Sequence, residues 1–438
     1  MPGVFRVKGF TAYSIMIFLN AFTDLGHKII IQNMVFKHYS GATQIVLTAL
    51  VNALILLPYV MLFTPAGFLS DKFPKNKVMR LSAVAAIVIT ALITMSYYCG
   101  WFGVAFCLTF ALGVQAALYS PAKYGFIKEL AGVDNLSAAN AMVQAVTIVA
   151  ILLGVFVFSI FFEALIGQDL SLVGMITAIA PLGFLLVGCS VVETVLAYRL
   201  PKTRDTDTAL LFDVKKYRTG VYLRENIKDV WSSQTIWLSI IGLSIFWAVN
   251  QVVLAVFGAY LKEAAGITNT VIAQGLLAVG GGGIVAGSMI AGRVSRNSIE
   301  TGLIPAGAAG MTVCLFMIPW LAHPWMLGTL FFLYGMAGGM FIVPLNALIQ
   351  FHAREDDLGR VLAANNFMQN CAMIGFLALT ILFGMGKMGA SALIYLMSAV
   401  VFCGSMYTLW ILPQPFTLNL MATLASIKEI FCKNGQAR

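Results

Sequence analysis

Charge is scarce in this sequence. Only 10% of its 438 residues are Asp, Glu, Lys or Arg, against about a quarter in an ordinary soluble chain, while 60% are hydrophobic. That shortage excludes a water-soluble globule and, more firmly still, a disordered chain. The seven cysteines, Cys99, Cys107, Cys189, Cys314, Cys371, Cys403 and Cys432, form no CxxC pair, so they read as packed thiols rather than disulfides or metal ligands. Ser-His-Asp order, metal-ligand spacing and nucleotide loops are all missing, so neither an enzyme nor a cofactor is expected. The run Gly280-Gly281-Gly282-Gly283 with Gly287 is no phosphate cradle, because such cradles follow a strand and open a helix. It predicts close packing or a bend between membrane helices. No cleavable leader is expected either, since the first apolar run lacks a small-residue cleavage site and continues at spanning length.

What the chain has in abundance is apolar runs of about 20 residues, the length that crosses about 30 Å of hydrocarbon. They predict an all-α integral membrane protein of about twelve spans. Six fall near 10–36, 44–69, 79–98, 101–122, 136–163 and 171–198, and six near 233–261, 267–292, 299–321, 325–349, 360–385 and 388–412. This gives an N-terminal lobe over 1–198, a polar cytoplasmic linker over 199–232, a C-terminal lobe over 233–412 and a cytoplasmic tail over 413–438. Within the linker, Leu210, Leu211, Val214 and Tyr217 have near-helical spacing, as an interfacial or a solvated helix would.

Of the 27 Lys and Arg residues, only Lys37, Lys262 and Lys387 fall on the outer side when both termini are placed in the cytoplasm, and Lys28 lies within a span. Cytoplasmic loops retain positive charge, so this asymmetry sets the orientation. It also accounts for the net charge of +9: the cations serve orientation and anionic membrane lipids, and no nucleic-acid partner is implied.

The chain repeats itself at half its length. Ser120-Pro121-Ala122-Lys123 followed by Asn140 and Gln144 recurs as Val343-Pro344-Leu345-Asn346 followed by Asn365 and Gln369, and Ala66-Gly67 with Ser70 recurs as Ala291-Gly292 with Ser295. The offsets are 344 − 121 = 223 for the prolines and 365 − 140 = 225 for the asparagines. Nearly one offset serving three places means a duplicated unit, each copy holding several spans.

Polar side chains inside spans then become the candidates. The first span carries Asn20, Thr23, Asp24, His27, Lys28, Gln32 and Asn33, a load that must face protein or water rather than lipid. Asp24 and Lys28 are four apart and share a helix face, so they can pair. An isolated ion at such depth costs about 2.5–3.5 kcal/mol, which a self-neutralising pair or a polar cavity must offset. On the functional reading the pair lines a cavity and meets a charged or zwitterionic substrate. Asp24 and His27 are the candidates for proton coupling, although His27 also fits a hydrogen-bonded wall. Lys123 follows Pro121 at the inner end of the fourth span, where a snorkelling lysine is ordinary; its counterpart is Asn346, so the charge belongs to one half only. A turn is expected at 123–135. Glu193 in the sixth span is a lone carboxylate. The amides Asn140, Gln144, Gln251, Asn366, Gln369 and Asn370 are candidate headgroup contacts or interhelical fasteners.

Two resemblances follow from these residues. Gly67-Phe68-Leu69-Ser70-Asp71-Lys72, with the basic residues Lys75 and Lys77, resembles the loop signature of the major facilitator superfamily. There the Gly permits close helix approach and the Asp caps or pairs near a helix end, which makes Gly67 and Asp71 a candidate cytoplasmic gate. More specifically, Ser120-Pro121-Ala122-Lys123-Tyr124-Gly125, Val343-Pro344-Leu345-Asn346-Ala347, Asp24 after Ala21-Phe22, and Asn366 with Asn370 are similar to the bacterial lysophospholipid transporters. The Asp24-Leu25-Gly26-His27-Lys28 wording resembles a subgroup fused to an acyltransferase. This resemblance implies transfer of lysophospholipids from the outer to the inner leaflet of the inner membrane, by a monomer partnered functionally by a lysophospholipid acyltransferase. Asp24 and Lys123 match the family's polar pathway positions. One departure stands out: where the family carries an Arg in its seventh helix, this chain has Leu254. Two other readings stay open at this point, a proton-coupled porter of small molecules and a scaffold that transports nothing.

Overall fold

A computed structural model of the chain describes residues 7–132, 136–167, 171–202, 213–222, 224, 230–295, 299–353 and 358–411. Among these residues twelve helices are long and apolar enough to cross a membrane, six on either side of the polar stretch that begins at Arg199. The helices are α1 (Phe10–His38), α2 (Gly41–Met61), α3 (Phe63–Lys72), α4 (Lys75–Tyr98), α5 (Phe102–Ala131), α6 (Leu136–Leu165), α7 (Leu172–Ala178), α8 (Pro181–Tyr198) and α9 (Val214–Arg218). They continue as α10 (Gln234–Ala265), α11 (Thr270–Val294), α12 (Leu303–Met317), α13 (Pro324–His352), α14 (Leu358–Met385) and α15 (Ala390–Ile411). No strand occurs among the described residues.

Three departures from the expected spans have local causes, the first being the sixth span, which divides into α7 and α8 where Pro181 starts a new helix. The second span divides into α2 and α3 at Leu62, whose own backbone leaves the helical region at φ −101° and ψ 10° while its N–H still donates to Pro58 O at 2.8 Å. In the opposite sense, α5 does not end at Pro121. It runs on to Ala131 and stops only at Gly132, whose φ of 73° is open to a residue without a Cβ. A membrane helix tolerates an internal proline where neighbouring groups satisfy the freed carbonyl, and the related α13 does the same with Pro344. The turn expected at 123–135 is therefore helical through Ala131, and Lys123 sits inside a helix rather than at its frayed end.

The chain divides into two compact units. The first comprises 1–39, 50–223 and 269–274. In it α1 packs on α6, α8 and α5, and α4 packs on α5 and α8. Gly26 lets α1 lie against Phe158 of α6, where a Cβ would overlap the ring. Arg80 of α4 closes the end of α8, donating Nε to Ala197 O at 3.0 Å and Nη2 to Leu200 O at 2.8 Å. A cation on the last carbonyls of a helix satisfies groups that have no partner within it. The five-residue α9 lies within the linker; Tyr217 there donates to Met61 O at 2.6 Å, while Leu210 and Leu211 lie outside the described residues.

The second unit comprises 40–49, 224–268 and 275–438. Here α10 packs on α13, α14 and α15, and α12 on α13 and α15. The glycine run has the packing role its sequence predicts. A Cβ at Gly283 or Gly287 of α11 would overlap the carbonyl oxygens of Phe332 and Met336 on α13, and one at Gly335 would overlap Gly280 O. Both helices thus present glycines four apart to each other, the small-residue contact that brings membrane helices to backbone distance. Outward-facing side chains are apolar, among them Leu81, Phe184 and Leu382, as a lipid-facing surface requires. Trp320 and Trp325 stand exposed at the α12–α13 junction, where indole rings suit the membrane interface.

Candidate functional site

The first unit contains a cavity of about 260 Å³. Its wall combines Asn20, Asp24 and Lys28 of α1, Ile55 and Tyr59 of α2, Tyr119, Ser120 and Lys123 of α5, and Ile151 of α6. Helical spacing brings the first three together, since 20, 24 and 28 are successive turns of one face. The continuation of α5 through Pro121 brings in Ser120 and Lys123. Both Asp24 and Lys28 are half-buried, and Lys123 is the charged group that acts on Asp24. Its Nζ also lies 4.6 Å from the ring centre of Tyr124 and 5.9 Å from that of Tyr119, within reach of a cation–π contact.

Asp24 and Lys28 share this cavity without bonding to each other. The ion pairs below 4.0 Å among the described residues are Lys37–Glu163 and Lys75–Glu129. Asp24 Oδ1 is buried and accepts no hydrogen bond. Sequence spacing allows a self-neutralising pair, and the structure does not form it. The cavity therefore holds one carboxylate and two ammonium groups as separate contacts, a pattern that complements a ligand carrying both signs of charge.

His27, one residue from Lys28, is placed differently. It is fully buried, its Nε2 lies 3.1 Å from Ala105 O and 3.2 Å from Thr109 Oγ1, and its Nδ1 lies 2.7 Å from Tyr97 Oη. A carbonyl can only accept, so Nε2 carries the hydrogen and Nδ1 accepts from the tyrosine. The neutral ring is then satisfied at both nitrogens, and it ties α1 to α4 and α5 away from the cavity.

The Major Facilitator Superfamily sequence profile matches residues 11–378. A lysophospholipid transporter LplT of Escherichia coli K12 is 30% identical over 331 residues, covering 74% of this chain and 77% of that protein. The chain belongs to the LplT family of the major facilitator superfamily. An LplT of Photorhabdus laumondii is 29% identical over 376 residues, covering 85% and 87% of the two chains. Solved structures give the same fold at low identity. A D-xylose-proton symporter superposes with TM-score 0.67 at 16% identity, covering 94% of this chain and 98% of its own. A POT family transporter in complex with 5-aminolevulinic acid does so with TM-score 0.68 at 11% identity, covering 92% and 96%.

Among the other positions expected to act in this LplT-family chain, Gln144 is exposed on α6 and does not line the cavity. The side chain of Asn140 lies outside the described residues. In the second unit, Gln251 of α10 has a buried Oε1 that accepts no hydrogen bond. Gln369 donates to Asn365 Oδ1 at 2.7 Å, and the Asn370 side chain donates to the backbone carbonyl of Asn366 at 2.8 Å, so both bonds run along α14. At Gly67 a Cβ would meet nothing within 4 Å, so close helix approach is not what that glycine provides here. Asp71 is exposed near the end of α3. Leu254 is half-buried on α10.

Helical spacing pointed to Asp24 and Lys28, and the asymmetry of the repeat to Lys123. Tyr59, Tyr119 and Ser120 were not found that way, because a tyrosine or serine in an apolar run carries no signal until its neighbours are known.

Proposed function

We propose that this chain carries lysophospholipids across the bacterial inner membrane, from the outer to the inner leaflet, by alternating access of two six-helix lobes, 1–198 and 233–412. Both termini lie in the cytoplasm, the chain works as a monomer, and a lysophospholipid acyltransferase consumes what it delivers. The names of its relatives support the substrate class. The observation that carries the reading is the unpaired state of Asp24 and Lys28 in one cavity with Lys123. Asp24 receives an ammonium group, as in an ethanolamine headgroup, while Lys28 and Lys123 receive the phosphate, each through a charge-assisted hydrogen bond. A family arginine near Leu254 has no counterpart there, and Lys28 supplies the second cation from α1 instead.

The test is reconstitution into vesicles carrying labelled lysophosphatidylethanolamine in the outer leaflet. Wild type should move the label inward faster than empty vesicles, and Asp24→Asn and Lys28→Gln should both slow it while remaining folded. Equal transfer with and without protein would remove the lipid reading. A dependence on an imposed pH gradient, together with indifference to lysophospholipid, would favour a proton-coupled porter of small solutes.

A further inference from the structure

Behind the cavity, in the core of the same unit, lies a second carboxyl group that the transport reading leaves unused. Glu193 of α8 is fully buried, and neither of its side-chain oxygens has a hydrogen-bond partner. Its polar neighbours come from α1: the amide of Asn20, 5% exposed, and the carboxyl group of Asp24. Next to them Thr23, 1% exposed, also has an unpartnered hydroxyl, beside the Cys189 thiol. Unpartnered polar atoms are rare in protein interiors. Here Asn20 Nδ2, Thr23 Oγ1, Asp24 Oδ1 and both Glu193 oxygens belong to one neighbourhood on α1 and α8.

The groups around Glu193 leave it without a counter-charge. From α4, Thr90 reaches Ser190 at 3.4 Å, and the Arg80 guanidinium is engaged with the carbonyls of Ala197, Tyr198 and Leu200. From α5, Tyr119 comes near it, itself fully buried with an unpartnered hydroxyl. The cations Lys28 and Lys123 stand on the cavity side, with Asp24. A carboxyl group buried without a counter-charge, whose neighbours on α1 are the Asn20 amide and the Asp24 carboxyl group, calls for a small positively charged ligand.

We propose that Glu193 is a proton-binding site whose occupancy is coupled to the headgroup at Asp24, so that an ammonium-bearing substrate enters the cavity as a proton leaves Glu193. This rests on the lysophospholipid reading given above. With Asp24 charged and unoccupied, Glu193 holds its proton as a neutral acid, because two adjacent carboxylates cannot both stay charged. An ammonium group on Asp24 removes the repulsion, and the O–H bond of Glu193 opens to give a carboxylate and a proton delivered to water. Nothing is oxidised or reduced; the zwitterionic headgroup brings no net charge, so the departing proton leaves the occupied protein one unit more negative. A headgroup without an ammonium would bind without displacing the proton.

The experiment uses the full chain in lipid nanodiscs and titrates lysophosphatidylethanolamine and lysophosphatidylglycerol calorimetrically, in buffers of differing ionisation heat. Wild type should release a proton on binding the ethanolamine lipid and none on binding the glycerol lipid. Glu193→Gln should keep binding and lose the proton release. Equal release in wild type and Glu193→Gln, or equal release with both lipids, would overturn the proposal. Infrared difference spectroscopy of the lipid-free protein supplies an independent arm. A carbonyl band of a protonated acid should vanish in Glu193→Gln and shift in Glu193→Asp, and its absence from wild type would equally overturn the proposal. If neither lipid binds, the substrate reading fails, and the infrared band alone still decides whether Glu193 holds a proton.

Discussion

Asp24 and Lys28 stand one helical turn apart on α1, line the same cavity, and do not bond to each other. Two opposite charges placed so close inside a membrane protein would ordinarily neutralise each other. Keeping them apart costs stability, and a cavity that tolerates this is poised for a ligand with charges of its own.

Lys123 should matter for anionic binding rather than for folding. It is half-buried, lies on the cavity wall, and its ammonium stands over the rings of Tyr119 and Tyr124. Lys123→Gln removes one charge-assisted contact, so lysophospholipid affinity should fall by about 1.5–3 kcal/mol, roughly tenfold or more. Equilibrium binding to the purified protein, beside an unchanged melting temperature, checks this.

The glycines of α11 offer a paired prediction. Gly283→Ala places a methyl group on the Phe332 carbonyl and should reduce folded yield and melting temperature sharply. Gly282→Ala meets nothing within 4 Å and should be neutral or gain up to about 1 kcal/mol from helix propensity. Monodispersity on size-exclusion chromatography after graded heating distinguishes them.

His27→Leu should destabilise without altering how transport responds to pH. Removing the ring strands the Tyr97 and Thr109 hydroxyls and the Ala105 carbonyl in the core, at about 1–3 kcal/mol per unsatisfied group. The variant should therefore melt lower, while the pH profile of surviving transport matches wild type. A changed profile with unchanged stability would reassign His27 to the transport step.

At the other end of α1, Lys37 donates to Glu163 Oε2 at 2.9 Å, and the backbone N–H of Thr270, at the start of α11, donates to Glu163 Oε1 at 2.5 Å. Gln274 continues the contact, donating to Asn33 Oδ1 at 3.2 Å. Glu163→Ala loses both bonds and should lower stability by about 1–2 kcal/mol, the combined scale of a partly exposed ion pair and a helix cap. Glu163→Gln keeps an acceptor for the backbone and should lose about half as much, and thermal melts of the two variants measure the difference.

Much of this was legible in the sequence, and the exceptions have physical causes. Apolar run length located the twelve spans, because hydrocarbon thickness fixes how long a helix must be. The i, i+4 relation of Asp24 and Lys28 put them on one face, yet spacing could not show whether they bond, since that depends on what fills the space beside them. Pro121 pointed to an end for the fourth span, a rule that holds in water; in the protein interior α5 continues past it, which carried Lys123 from an expected membrane edge into the cavity wall. His27 lies one residue from Lys28 but 100° around the helix, enough to turn it from cavity to core. The cavity tyrosines had no pattern to betray them.

The most direct test of the central claim is a double-mutant cycle on lysophosphatidylethanolamine binding, with Asp24→Asn, Lys28→Gln and the two combined. If each side chain meets the substrate on its own account, both single variants bind more weakly and the combined variant binds at least as weakly as the worse of them. Recovery of wild-type affinity in the combined variant would mean that the two charges serve only to cancel each other, and would contradict the account.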